Sequence, residues 1–519
     1  MNLFHQVIAD NASKYAAKPA VILDGVAASY HQLQCRTDNI ASLLQSLGVK
    51  KGDRVGLYSA ITIDLIGAYL GALQIGAITV ATHPTLTRAK LIYQLKHSGA
   101  RVLITDCTEH LAELLTEAEL QFILVTVPTP IITPGIIQLP SGMSVHGEHT
   151  VTTQQAGSVD PEHPTSIFYT SGSSSNPKGV LVNHRIMLAA SRQVTSYLHI
   201  SKDDRILSYS TLASDYGVYN IMMPLFVGAT AVVESKPPAT GEAVLSVVAR
   251  ESVTAMHVFP PVFFLLAKVG PQWQARVPSL RYISTSGQAL HTRHIRKIRQ
   301  TMPQVQIFSN YGLTECKRVS YLPPLEIDQR PTSVGKPIPG VSAYLIDAQG
   351  SIIDQPGQIG ELFVTSDFLM LGYWNMEEEN AAVFLQDAFG HSRLYRTGDL
   401  FKKDAEGYLY YVSRKDDVFT RNIWNVNPRE IEECLTSHPA VAEALVIPVA
   451  DEEAGHLPKA FIVRELNQDN AISEEILLHY CRENLDWHMV PTQCTFLKSL
   501  PRTYSGKTTI DGLTQGLEL

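Results

Sequence analysis

Residues 169–180 read Tyr-Thr-Ser-Gly-Ser-Ser-Ser-Asn-Pro-Lys-Gly-Val, a hydroxyl-rich loop with one cation. The strand-like run Ile167-Phe168-Tyr169 breaks into it, and Lys178-Gly179-Val180 leads out toward a second apolar strand. Hydroxyls and loop amides present donors outward, the arrangement that cradles a polyphosphate. Thr170, Ser171, Gly172, Ser173, Ser174 and Lys178 are therefore candidate phosphate-binding residues. The strict P-loop pattern fails in this loop, because no Ser or Thr follows a Gly-Lys pair. A solvated Ser-rich linker is the competing reading, but a linker is not clamped between two strands.

Four further segments sharpen the phosphate reading: Asn310-Tyr311-Gly312-Leu313-Thr314-Glu315, Tyr395-Arg396-Thr397-Gly398-Asp399, Ser413-Arg414-Lys415-Asp416-Asp417, and Pro501-Arg502-Thr503-Tyr504-Ser505-Gly506-Lys507. In this order and spacing the five motifs resemble the adenylate-forming superfamily of acyl- and aryl-CoA ligases, luciferases and peptide-synthetase adenylation domains. The resemblance runs from about residue 8 to residue 510.

The chemistry of that superfamily suits these residue types. A carboxylate does not react with a thiol or amine at neutral pH, because its leaving group would be oxide. Attack on the α-phosphate of ATP makes a mixed anhydride and expels pyrophosphate, a reaction that needs positioning and charge neutralisation. The resemblance implies that Lys507 bridges the substrate carboxylate and the α-phosphate as negative charge builds. It implies that Glu315, beside Thr314 in the catalytic set, holds Mg²⁺ through the phosphates. Tyr311 would stack on adenine, with Asn310, Gly312 and the Ser286-Gly287-Gln288 loop around the base. Asp399 would accept both ribose hydroxyls, assisted by Arg414. ATP and Mg²⁺ are the implied cofactors.

Two positions depart from the superfamily pattern. Its phosphate loop has threonine then glycine where this chain has Ser174 and Ser175. A glycine usually approaches the pantetheine arm where this chain has Asn422-Ile423-Trp424. Asn tolerates positive φ better than most residues, so the turn can survive.

The acid pocket is where members differ. Asp215 falls where amino-acid-activating domains place an aspartate for the substrate ammonium; the alternatives are an internal partner such as Arg318 or a place at the mouth of the pocket. Tyr216, Tyr219, Val258 and Ser284 would line the same pocket, and two phenols leave little room for a long chain. A small amino acid, proline-like as a first guess, is the expected substrate. Transfer to the phosphopantetheine thiol of an acyl or peptidyl carrier protein is expected to follow, as in free-standing carrier-protein ligases of natural-product pathways. The alternative is a small carboxylic acid–CoA ligase.

At 519 residues the chain is long for one hydrophobic core. Strands alternating with amphipathic helices before residue 330 imply an α/β architecture of parallel sheets flanked by helices. Strands separated by Gly and Asp turns after Val334 imply a β-rich subdomain, and a small α+β module follows Ser413. The expected division is a large domain over 1–412 and a small mobile one over 413–519, hinged at Asp416.

With 45% hydrophobic and 18% charged residues and a net charge of −8, composition gives no nucleic-acid footprint. Six cysteines without a CxxC pair fit a reduced cytoplasmic compartment. Met1–Ala9 does not read as a signal peptide. The apolar stretch Val55–Thr82 carries Asp64 and Gln74, which favours a strand, a helix and a strand over a membrane span. The basic run His291–Arg299 reads as a helix with a solvated face, and its two histidines have no evident third metal ligand.

Overall fold

The structure is a computed structural model that describes residues 3–130, 133–139, 159–170, 177–288, 290–422, 424–451, 453–465, 472–502, 508–510 and 513. The chain forms two compact units: Met1–Thr332 with Pro337–Ser342 and Thr365–Tyr395, and Ser333–Lys336 with Ala343–Val364 and Arg396–Leu519.

The first unit holds two sheets. One orders the strands Gly372–Tyr373, Lys178–Asn183, Pro164–Thr170, Ile78–Thr82, Arg54–Tyr58, Ala100–Thr105, Phe122–Val125 and Ile136–Gln138. The pairings from Pro164–Thr170 to Ile136–Gln138 are parallel, as expected for strands returned by helices. Pro164–Thr170 and Lys178–Asn183 are antiparallel, with Thr170 opposite Lys178, so the Ser-rich segment joins two neighbouring strand ends. The stretch Val55–Thr82 folds as strand, helix Ile63–Gln74 and strand, as its polar residues imply.

The other sheet runs Ser320–Leu322, Gln306–Tyr311, Tyr282–Thr285, Ala255–Val258, Arg205–Ser208, Thr230–Val233, Pro19–Leu23 and Val26–Ser29. Its register sets Val258 beside Thr285, and Thr285 beside Ser309. The carboxyl ends of these parallel strands therefore converge on one edge, where open α/β sheets place ligands. Ser29 caps the helix Tyr30–Ser46 by accepting from the Gln32 amide, and Gln32 reaches back to the Ser29 amide.

In the second unit, Val441–Asp451 and Gly455–Arg464 pair along most of their length, and Phe419–Arg421 and Gln493–Leu497 add to the latter. Helices Pro428–Ser437 and Glu474–Asn484 bury Ile431, Leu435, Leu477 and Cys481 against this sheet. This unit extends across the expected 412/413 boundary. Across residue 412, Asn427 donates to the Val412 carbonyl, and the Arg429 guanidinium lies over the Tyr411 ring at 4.9 Å. Among the described residues no helix is long and apolar enough to cross a membrane. None of the six cysteines forms a disulfide.

Candidate active site

Two groups of candidates lie outside the described residues: Ser171, Gly172, Ser173 and Ser174 of the phosphate loop, and Lys507. What frames the loop is described. Lys178 opens its strand with the ammonium 5.2 Å from the Tyr373 ring centre, and the Thr170 hydroxyl donates to the Lys178 carbonyl at 3.4 Å.

The motif after strand Gln306–Tyr311 is held from several sides. Asn310 is buried; its amide nitrogen donates to the Ser284 hydroxyl at 3.0 Å and the Thr285 carbonyl at 2.9 Å, and its oxygen accepts from the Tyr197 hydroxyl at 2.8 Å. Asn310 thus ties adjacent strand ends together, with Ser284 as one anchor. Tyr311 follows at the strand end, and its carbonyl accepts from the Val319 amide. Gly312 is required by a close approach, since a Cβ there would fall 2.1 Å from the Lys317 carbonyl oxygen. Ser286 is buried beyond the neighbouring strand, and Gly287 and Gln288 turn away from it with Gly287 at φ 104°.

Glu315 accepts a hydrogen bond from the Tyr373 hydroxyl at 2.8 Å, and its backbone carbonyl accepts from the Met370 amide. One carboxylate oxygen is thereby oriented and the other is left to a hard cation. Mg²⁺ is held by one or two carboxylates plus substrate phosphates and water, so a single glutamate fits. Among the described residues no group of three acidic, His or Cys ligands offers an all-protein cage. Tyr373 had no local signal in the sequence.

Of the acid-pocket candidates, Asp215 opens the helix Asp215–Val227, capped by the Ser214 hydroxyl. The Thr314 hydroxyl donates to the Asp215 carboxylate at 2.8 Å. No Arg318–Asp215 ion pair forms among the described residues. Arg318 instead lies over the Tyr216 ring at 5.7 Å, and the Tyr216 hydroxyl donates to the Val258 carbonyl at 3.3 Å. Tyr219 is buried, and burial raises its phenol well above the ordinary range. Lys317, not singled out by sequence reasoning, is buried within 5.5 Å of the Tyr219 ring centre.

In the second unit, Asp399 is buried opposite Arg414 on the neighbouring strand, and Arg414 Nε meets its carboxylate at 3.0 Å. Lys415 reaches Glu361 at 2.9 Å, and Arg396 holds the same carboxylate. Burial pushes the Glu361 carboxyl up, but the two cations outweigh it and leave it below the usual range. Both basic residues before Asp416 are thus engaged elsewhere, and Asp416 stands exposed in the turn. Asn422 adopts φ 55°, the positive value its position calls for.

A sequence profile of the AMP-binding enzyme matches residues 8–374, and one of the AMP-binding enzyme C-terminal domain matches residues 430–507. The chain belongs to the AMP-binding enzyme family. It is an AMP-forming ligase that uses ATP with Mg²⁺. It is 28% identical to a long-chain-fatty-acid–CoA ligase of Bacillus subtilis, over 96% of this chain and 92% of that protein. It is also 28% identical to surfactin synthase subunit 3 of Bacillus subtilis, over 94% of this chain but 37% of that protein. ATP-bound MatB from Rhodopseudomonas palustris shares the fold with a TM-score of 0.84, 23% identity and 99% of each chain covered. The resemblance to free-standing amino-acid ligases gains no such support.

Proposed function

We propose that this AMP-binding enzyme activates a small carboxylic acid and passes the acyl group to coenzyme A. The substrate carboxylate oxygen bonds to the α-phosphorus of ATP, and the bond to the β-phosphate oxygen breaks, releasing pyrophosphate. The thiol sulfur then bonds to the acyl carbon, AMP leaves with the electrons of the C–O bond, and the thiol proton goes to solvent. Mg²⁺ held by Glu315 would neutralise phosphate charge. Thr170 and Lys178 flank the phosphate loop, Tyr311 and the Ser286–Gln288 turn serve the base, and Asp399 with Arg414 serves the ribose. Lys507 is assigned the forming acyl phosphate.

The observation that carries the choice of acid over amino acid is at Asp215. Its carboxylate accepts from Thr314 and lies near the buried Lys317 cation, so an ammonium is not needed to meet it. Tyr216 and Tyr219 support a compact acid. The similarity to the fatty-acid–CoA ligase supports CoA as the acceptor, and the similarity to surfactin synthase keeps an amino acid and a carrier protein as the second reading.

The test is pyrophosphate release over a panel of carboxylic and amino acids, with acyl-CoA measured by mass. Acid-dependent release is expected, and Lys507→Ala should reduce it by about 10²–10³-fold. Release driven only by amino acids, with acyl transfer to a carrier protein and none to CoA, would establish the second reading. No release with any acid would sink both.

A further inference from the structure

Three of the six cysteines belong to the core of the second unit, each from a different element. Cys434 is on helix Pro428–Ser437, Cys481 on helix Glu474–Asn484 and Cys494 on strand Gln493–Leu497. The two helices lie side by side and antiparallel. At one end the Ser437 hydroxyl meets the Tyr480 hydroxyl at 2.9 Å, and the His438 ring stands edge-on to the Tyr480 ring at 5.1 Å. One turn further on, the Cys434 and Cys481 thiols hydrogen-bond each other. A turn beyond that, Glu430 and Glu483 line one cleft of about 320 Å³. Cys481 and Cys494 are buried, whereas Cys434 is half-buried and reaches solvent.

The thiolate is the form of cysteine that attacks an oxidant, and its surroundings decide which cysteine supplies it. The Cys481 thiol donates to Cys434 and holds it below the ordinary thiol range, against burial and the Glu430 carboxylate. The same bond pushes Cys481 up, and burial pushes Cys494 up to about 12. Cys434 is thus the exposed and reactive member, with Cys481 already in contact behind it. To form a disulfide, the two sulfurs need only close from hydrogen-bond contact to about 2.05 Å. Glu430, Glu483 and Asp486 make the neighbouring cleft acidic, which turns away anionic thiols and oxidants but not a neutral hydroperoxide.

We infer that Cys434 is a site of oxidation by hydroperoxides and that Cys481 resolves it, forming a reversible disulfide between the two helices. The Cys434 sulfur attacks one peroxide oxygen, the O–O bond breaks, and the leaving oxygen takes the Cys434 proton to become water or an alcohol. Cys434 is then a sulfenic acid. The Cys481 sulfur attacks the Cys434 sulfur, the S–O bond breaks, and hydroxide leaves with the Cys481 proton as water. Two thiols give up two electrons and the peroxide accepts them. The chain between the two cysteines holds the paired strands Val441–Asp451 and Gly455–Arg464, so the bond braces both helices against that sheet. In a reducing compartment both thiols rest reduced, and cellular thiols reverse the bond.

The experiment exposes the folded full-length protein to a small molar excess of hydrogen peroxide, alkylates the remaining thiols after denaturation and maps the peptides by mass. The wild type should yield one linked pair, Cys434 to Cys481, which dithiothreitol reverses. Dimedone, which traps sulfenic acids, should label Cys434 in Cys481→Ser and label it about tenfold less in the wild type, where Cys481 reacts first. Cys434→Ser should give neither product. Hydrogen exchange across Pro428–Ser437 and Glu474–Asn484 should slow by about tenfold in the linked protein. If Cys481→Ser fails to fold, the wild-type peptide map decides alone. All six thiols alkylated after peroxide, a bond from Cys481 to Cys494, or a bond between two molecules overturns the inference. A Cys434–Cys481 link that forms only when the chain is first unfolded overturns it too, and unchanged exchange in the linked protein overturns the bracing of the helices.

Discussion

The Thr314 hydroxyl donates to the Asp215 carboxylate at 2.8 Å, joining the Asn310–Glu315 motif to the first turn of the helix Asp215–Val227. The two residues are 99 positions apart in the chain. Through this bond Asp215 acts structurally, fixing Thr314, the neighbour of Glu315, while its charge opposes that of Lys317.

Replacing Asp215 by Ala should therefore impair adenylation of acids with and without an α-amine alike. A hydrogen bond to a charged group contributes about 1.5 kcal/mol, or roughly a tenfold loss in kcat/KM. Pyrophosphate release with matched pairs of acids checks this. A loss confined to the amine-bearing member of each pair would return Asp215 to the role of an ammonium ligand.

Sequence and structure agree where the signal is local. The strand–helix–strand fold of Val55–Thr82 and the left-handed turn at Asn422 each depend on residues within a few positions of one another. Lys317 and Tyr373 were illegible for the opposite reason. Lys317 reads as an ordinary charged residue until Phe168 and Tyr219, from distant elements, close over it. Tyr373 becomes a partner of Glu315 only because the loop at Met370 returns to the Glu315 carbonyl. The change in strand texture after Val334 likewise does not reveal that helix Pro428–Ser437 packs on strand Leu409–Arg414.

A pH effect on stability is expected from Glu432, on the helix Pro428–Ser437. Burial pushes its carboxyl up to about 7 from an ordinary 4.5, and the Val446 amide, donating at 2.9 Å, only partly opposes this. The folded state therefore holds a proton that the unfolded chain has lost between pH 4.5 and 7. The contribution is fully present below the unfolded value and is lost as pH rises through the folded one. Glu432→Gln keeps an oxygen for the Val446 amide and removes the charge. Its Tm should exceed that of the wild type at pH 8, and the difference should shrink toward zero at pH 5. Equal Tm differences at both pH values would remove Glu432 as the source.

The last prediction concerns motion at Asp416. On the proposed function one site serves two reactions, and Lys507 would reach the acid for adenylation and then make way for the thiol. Both Lys507 and the Asn422–Trp424 segment follow Asp416 in the chain, so rotation about that residue would exchange them. Arg414 is engaged by Asp399 and Lys415 by Glu361, which anchors the chain up to residue 415. Asp416 itself is exposed in the turn before strand Phe419–Arg421, where a large backbone change costs few contacts. Proline fixes φ near −65° and removes the amide donor. Asp416→Pro should keep acid-dependent pyrophosphate release within about threefold of wild type, because adenylation needs only one orientation. Formation of the acyl thioester should fall by about 10²-fold or more, because the second orientation is closed to it. Single-turnover measurement of the two half-reactions on the same preparation separates these outcomes. Both half-reactions surviving intact would remove the hinge from Asp416, and so would the loss of both in a protein whose Tm is unchanged.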